Sequence, residues 1–307
     1  MYYLIKETIE ACTADEALSG AYPFATVLTR RKWLEKKNSF KMGLDIDAGL
    51  DTPAVPITRA VVNIDSLTGT IAIPELSYSK EITGCFSFAL DEKGIVFIDD
   101  EGISDTIIKE ISRFRKTQMP SLERFLYDFL EQIISHDIEM LEQMEQALDQ
   151  MEDEILSDDT AESLSSLNAV RGNLLDLHLH YRRLIDLGQE LQENENGFFE
   201  EDNIRYFRLF TQRVERLCDT VANLRDYTVQ LRELIQTRID EKQNRIMTFL
   251  TVITTIFTPL MLITGWYGMN FRYMPTLDSP IAYPIVIAVC ITIAVVCIIW
   301  FKKKKWL

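Results

Sequence analysis

Residues 246–271 read IMTFLTVITTIFTPLMLITGWYGMNF, and residues 279–301 read SPIAYPIVIAVCITIAVVCIIWF. Neither run, of 26 and 23 positions, holds a charged side chain. A bilayer core about 30 Å thick is crossed by about 20 apolar residues in an α-helix. Both runs clear that length, so the sequence predicts two transmembrane helices joined by a short polar connection. Two buried soluble helices are the competing explanation, but adjacent runs this long are hard to bury in a globule.

The flanks set the orientation. Lys302, Lys303, Lys304 and Lys305 follow the second run, and Arg238, Lys242 and Arg245 precede the first, while the connection carries only Arg272 and Asp278. Basic residues stay on the cytoplasmic side. Both ends are therefore expected inside and the connection outside, in the inner (plasma) membrane. The opening MYYLIKETIEACTADE lacks the basic-then-apolar pattern of a signal peptide. Five cysteines without a metal spacing or a disulfide framework suit a reducing compartment.

Across 307 residues the formal net charge is −15 and 47% of the side chains are hydrophobic. The hydrophobic share excludes a disordered chain. The acidity excludes a nucleic-acid partner, which needs a basic surface to displace counterions. Residues 1–117 read as a mixed α/β cytoplasmic domain. Short β-branched stretches at 60–64, 70–73, 86–90 and 94–98 are separated by turn signals, and helices are expected near 14–18 and 103–115. Residues 118–201 read as an acidic helical hairpin, with helices over about 121–157 and 162–194. Between Ser121 and Thr160 stand 13 acidic residues and one basic residue, Arg124. This is a solvated face that also gathers cations. Residues 202–245 read as a stalk helix running unbroken into the first span, 246–269. Its apolar residues Phe210, Val214, Leu217, Val221, Leu224, Leu231 and Ile235 recur at the heptad average of a bundle seam. The outer connection occupies 270–280, the second span 281–301 and a basic tail 302–307. The fold class expected is an α+β domain followed by long helices and two C-terminal transmembrane helices.

The spans differ in kind. The first carries Thr248, Thr251, Thr254, Thr255, Thr258 and Thr264, then Gly265, Gly268 and Asn270; the second is almost uniformly Ile, Val and Ala. Hydroxyls in hydrocarbon need a partner or water, or bond back to their own helix. The first span is thus expected to meet protein or water and the second to meet lipid. One two-helix hairpin cannot enclose a water path, so a pore requires several copies around an axis.

The first span ends Tyr267-Gly268-Met269-Asn270-Phe271, with Met274-Pro275 following. Together with Leu250-Thr251, Ile256-Phe257, Pro259, Gly265 and the terminal Phe301-Lys302-Lys303-Lys304-Lys305-Trp306-Leu307, this resembles the signature of the CorA family of divalent-metal transporters. The close match covers about 240–307. The resemblance implies a funnel-shaped homopentamer that passes Mg²⁺, and also Co²⁺ and Ni²⁺, with Mg²⁺ as substrate and regulatory ligand. It implies a selectivity filter at Gly268, Met269 and Asn270, braced by Tyr267 and Phe271. It implies a pore lined by Asn244, Met247, Leu250, Thr254, Thr258, Met261 and Gly265. The hydroxyl pattern alone selects Thr251 and Thr255 instead, one residue of rotation away, and Thr258 lies on both faces. Many relatives carry Met-Pro-Glu in the outer loop. Thr276 stands at the third position here, and Asp278 is the nearest acid able to substitute. Cytoplasmic carboxylates that sense Mg²⁺ between subunits are also implied, with Asp99, Asp100, Glu101 and Glu233 as candidates. The family chemistry suits Mg²⁺, which sheds water reluctantly and favours octahedral oxygen surroundings.

Two alternatives remain: a Zn²⁺ or Co²⁺/Ni²⁺ transporter of the same superfamily, and a two-span receptor or scaffold with a coiled-coil stalk. Zinc prefers Cys and His, and the expected pore face has neither. No enzyme is expected. His178 and His180 point in different directions on one helix, and His136 has no evident nucleophile or acid partner.

Overall fold

A computed structural model of the chain describes residues 1–36, 40, 57–74, 83–114, 120–157, 163–269 and 281–304. They fall into two compact units, Met1–Arg232 and Glu233–Leu307.

The first unit is built on a seven-stranded sheet: β1 (Tyr2–Ile5), β2 (Ile9–Cys12), β3 (Phe24–Leu28), β4 (Arg59–Val62), β5 (Leu67–Ile73), β6 (Gly84–Leu90) and β7 (Gly94–Ile98). The spatial order is β2-β1-β3-β7-β6-β5-β4. Only β3 and β7 run parallel, with Phe24 opposite Gly94 and Leu28 opposite Ile98. Both strands are buried along their whole length, as a central pair covered on two faces must be. Gly94 is required there, because a Cβ would stand 2.4 Å from the Phe24 carbonyl oxygen. The β6–β7 turn is held by Asp91, whose Oδ1 accepts from the N–H groups of Lys93 and Gly94 at 2.8 and 2.9 Å.

Helices cover both faces. On one, α1 (Ala14–Ala17) and α2 (Arg30–Lys36) bring Ala17 and Trp33 onto Leu4, Phe24, Leu28, Ala89, Val96 and Ile98. On the other lie α3 (Ile103–Phe114) and α4 (Leu122–Ile133). Ile103, Ile107, Ile108 and Ile111 form the buried stripe of α3. From α4, Phe129 stacks on Phe97 with centroids 4.5 Å apart and meets Phe86 edge-on at 5.8 Å. The sheet's core therefore extends past residue 117, through α4.

The single helix expected over 121–157 is two. α4 stops at Ile133 and α5 spans Asp137–Leu156. The intervening residues prefer local bonds to the helix ladder. Ile134 leaves helical geometry (φ −103°, ψ 8°), and the Ser135 hydroxyl donates to the Gln132 carbonyl at 2.8 Å. Asp137 opens α5 and accepts from the Tyr181 hydroxyl at 2.9 Å. The region 118–201 is accordingly not a two-helix hairpin: α4 belongs to the sheet, while α5 packs on α6 (Ser163–Glu193).

A short 3₁₀ turn, Glu201–Asn203, leads into α7, Arg205–Tyr267, one helix of 63 residues. Within the first unit its residues Phe207, Phe210, Val214, Leu217, Val221 and Leu224 are buried, as are Val170, Leu174, Leu177 and Leu184 of α6 and Met144, Leu148 and Ile155 of α5. Gly188 lets α6 approach α7, since a Cβ there would stand 2.4 Å from the Thr211 Oγ1. The Tyr227 hydroxyl donates to Asp149 at 3.0 Å, tying α7 to α5.

His180 on α6 is buried beside the Ala72 backbone of β5. Burial pushes its imidazole down to about 4, against the Ala72 hydrogen bond that favours the charged ring. The native pKa lies below the unfolded value of about 6.5, so the unfolded chain binds the extra proton between those values. Stability is full above pH 6.5 and falls as pH drops toward 4. About 2 kcal/mol should be lost between pH 7 and pH 5. Denaturant midpoints measured across that range should show the slope, and His180→Gln should flatten it.

Candidate ion pathway

In the second unit, α7 continues to Tyr267 and α8 spans Ala282–Lys303. Only 6% of each apolar window is buried within the chain, unlike the core helices of a soluble protein. Each helix nevertheless has one covered stripe. On α7 it is Val252, buried, with Thr248, Ile256, Pro259, Leu260 and Ile263 half-buried. On α8 it is Phe301, buried, with Ala282, Val286, Cys290, Ile293, Ala294 and Cys297 half-buried. Steps of three and four on both make each stripe a single helical face.

At about 100° per residue, Met247, Leu250, Thr254, Thr258, Met261, Gly265 and Gly268 fall on the side of α7 opposite its covered stripe. All seven are exposed. Thr251 and Thr255 are exposed too, but lie toward the flank, as does Asn244. The threonine hydroxyls close back on their own helix. Thr251 donates to the Met247 carbonyl at 2.7 Å, Thr254 to Leu250 at 2.7 Å, Thr255 to Thr251 at 2.8 Å, and Thr258 to Thr254 at 2.7 Å. Each hydroxyl spends its one proton this way and presents only lone pairs outward. On this face Thr254 and Thr258 are therefore acceptors, set among the apolar Met247, Leu250 and Met261 and the two glycines, with no carboxylate in the line.

The helix passes through Pro259, which has no N–H to offer the Thr255 carbonyl. It ends where the Gly268 N–H reaches the Thr264 carbonyl at 2.9 Å. Tyr267 and Met269 are exposed. Asn270, Phe271 and Asp278 lie outside the described residues.

The cytoplasmic carboxylates occupy different positions. Asp99 is buried, and all its acceptor capacity is used. Its Oδ1 takes the N–H groups of Glu101 and Gly102, both at 2.8 Å, and its Oδ2 takes the N–H and hydroxyl of Ser104 at 2.7 and 2.6 Å. It caps α3. Asp100 accepts the Arg30 N–H at 2.9 Å at the start of α2. Glu101 and Glu233 are exposed. Among the described residues, no three His, Cys, Asp or Glu side chains converge on a metal-sized site. Sequence reasoning missed one close pair, the Cys218 Sγ and His178 Nδ1 at 3.6 Å between α7 and α6. The spacing of 40 residues carries no motif. Burial lowers the affinity of His178 for a proton, helped by Arg225 and Arg182.

The family profile described as "CorA-like Mg2+ transporter protein" matches residues 31–303. The "Cobalt/magnesium transport protein CorA" of Thermotoga maritima is 31% identical over 219 residues, which is 70% of this chain and 62% of that protein. The chain thus aligns with less than two thirds of that relative's length. Among solved structures, the complete CorA magnesium transporter from Methanocaldococcus jannaschii superposes with a TM-score of 0.79 at 21% identity, over 100% of this chain and 98% of that one. The ZntB cytoplasmic domain from Vibrio parahaemolyticus has a TM-score of 0.53 at 15% identity, over 78% of this chain and 97% of that one. Two long apolar helices at the end of an α+β domain, the Gly268-Met269-Asn270 sequence and a profile match over most of the length lead to one assignment: the chain belongs to the CorA-like Mg²⁺ transporter protein family.

Proposed function

We propose that this chain passes hydrated divalent cations, Mg²⁺ first among them, through a pore that identical subunits build around their first spans. The observation that carries the reading is the uncharged line Met247, Leu250, Thr254, Thr258, Met261, Gly265 and Gly268, opposite the covered stripe of α7. A hydrated cation points its water hydrogens outward. Hydroxyl oxygens whose protons are already spent receive those hydrogens without stripping the ion. The same geometry favours the Thr254 and Thr258 rotation over the one centred on Thr251 and Thr255.

At the outer end, a ring of Asn270 amides meets the arriving ion's water shell, with Gly268 and Met269 exposing backbone carbonyls and Tyr267 and Phe271 bracing the ring. Met247 and Leu250 form an apolar constriction that closes by dewetting, and Asn244 lies at its inner side. Asp278 supplies the acid that Thr276 lacks. Five subunits, both termini in the cytoplasm and a plasma-membrane location complete the arrangement. The acidic α5 face concentrates cations beneath the membrane. Glu101 and Glu233, exposed, are the carboxylates best placed to bind regulatory Mg²⁺ between subunits; Asp100 is half-committed to α2, and Asp99 serves the fold.

The driving force needs no nucleotide. Two charges moving inward at 100 mV gain about 4.6 kcal/mol. Co²⁺ is the second candidate cargo, because the Thermotoga maritima relative is named for cobalt as well as magnesium. The test is ion uptake into liposomes holding the full chain under an inside-negative potential. Mg²⁺ uptake that rises with the potential is expected, with Co²⁺ competing. A protein that assembles yet passes neither ion would point to the receptor or scaffold reading. Uptake of Zn²⁺ alone would move the cargo to the zinc branch.

A further inference from the structure

At one end of the α7–α8 hairpin the charge pattern of the chain reverses. The charge-free run of α7 begins after Arg245 and that of α8 ends before Lys302, so both runs carry cations at the end remote from their connection. Lys242, Arg245, Lys302, Lys303 and Lys304 are all exposed. Some cations elsewhere in this acidic chain pair with carboxylates: Lys109 with Asp105 at 2.6 Å, Arg124 with Asp128 at 3.3 Å, and Arg238 with Glu241 at 3.1 Å. No such ion pair is made by Lys242, Arg245, Lys302, Lys303 or Lys304 among the described residues. Lys304 instead lies over the Trp300 indole, 5.4 Å from its centroid.

Directly beside these cations stand exposed apolar side chains: Ile298, Ile299 and Trp300 on α8, Ile246 and Phe249 on α7. A soluble anion satisfies the cations and leaves this surface wet. A ligand with a phosphate head and an apolar tail covers both. Lysine stems run along acyl chains while their ammonium groups reach the headgroup level, and tryptophan settles at the same depth. A basic cluster flanking a transmembrane helix attracts anionic lipid.

We propose that Lys302, Lys303 and Lys304, with Lys242 and Arg245, form a binding site for the phosphate groups of anionic lipid headgroups. The inference rests on the two helices crossing a bilayer and not on which ion is carried, so it stands or falls separately from the cargo.

Trp300 reports the site. The full chain carrying Trp266→Phe and Trp306→Phe keeps Trp300 and the core residue Trp33, which is fully buried in the first unit. It is reconstituted into phosphatidylcholine vesicles in which a tenth of the lipid is brominated, either as phosphatidylglycerol or as phosphatidylcholine. Quenching by the anionic lipid should exceed that by the neutral one roughly threefold or more. The ratio should fall toward one in 0.5 M NaCl and in the Lys302→Gln, Lys303→Gln, Lys304→Gln variant. Three Lys→Arg changes at the same positions should preserve it. This arm guards against a glutamine variant that inserts poorly. Inorganic phosphate at 10 mM should leave the ratio unchanged. Equal quenching by the two lipids in the parent protein, or a preference that survives the glutamine changes, overturns the site. Loss of the preference on adding inorganic phosphate overturns the lipid in favour of a soluble anion.

Discussion

Asn270→Ala is expected to lower Mg²⁺ uptake into liposomes at least about tenfold while the subunits still assemble. The size of the effect follows from the proposed ring, in which every subunit would give up its amide at once. One amide-to-water hydrogen bond is worth about 1 kcal/mol net, and a symmetric ring repeats it in every subunit. Removing several exceeds the roughly 1.4 kcal/mol that makes a factor of ten in rate. The apolar stub offers nothing to the water shell of the ion. Uptake should be measured beside sizing of the purified oligomer. Unaltered uptake in the alanine variant would refute the role of this side chain.

Phe129→Ala should cost about 3–5 kcal/mol of stability, the range for emptying a buried aromatic site. Phe129 is 1% exposed and is the only side chain of α4 placed by ring contacts against both Phe86 and Phe97 among the described residues. Those two rings come from adjacent strands and also meet each other edge-on at 5.9 Å. The void cannot collapse easily, because the sheet beneath it is held by the β6–β7 ladder and the parallel β3–β7 ladder. A melting temperature roughly 10 °C lower is expected for a unit of this size. Near-ultraviolet circular dichroism of the full chain would read it. A shift under about 3 °C would mean that α4 is fastened elsewhere.

Much of the second unit could be read from the sequence because its signals are local. A charge-free run of sufficient length specifies a spanning helix whatever surrounds it, and in the first unit steps of three and four from Phe210 onward specify a buried seam in the same local way. Strands β5, β6 and β7 were legible for a similar reason: each adjoins a turn written in Asp, Gly or Ser. Strands β1, β2 and β3 were not. Tyr2–Ile5 and Phe24–Leu28 are too short and too uniformly apolar to distinguish strand from helix, and β3 finds its partner in β7, far along the chain. The break at Ile134–His136 escaped because the apolar period continues across it, while the deciding bonds of Ser135 and Asp137 are made by individual side chains. Asp99 shows the same limit at the candidate site. Its position beside Asp100 and Glu101 suggested a metal ligand, but only the loop geometry reveals four donors already occupying its oxygens. Which face of the first span is covered was likewise hidden in its threonines, since every face carries some; burial of Val252 marks the covered one.

The long separation between Phe24–Leu28 and Gly94–Ile98 also governs when the molecule can take shape during synthesis. A ribosome adding about 5–20 residues per second needs roughly 4–14 s to travel between those two strands. Until then the sheet lacks its middle, and β1 and β3 wait with bare edges that invite a neighbouring nascent chain. The apolar spans follow roughly 150 residues later, another 8–30 s at the same pace. The delay leaves time for the water-soluble layers to close before the segments destined for lipid leave the exit tunnel, so a slowed sheet, rather than slowed insertion, would be the earlier source of aggregation.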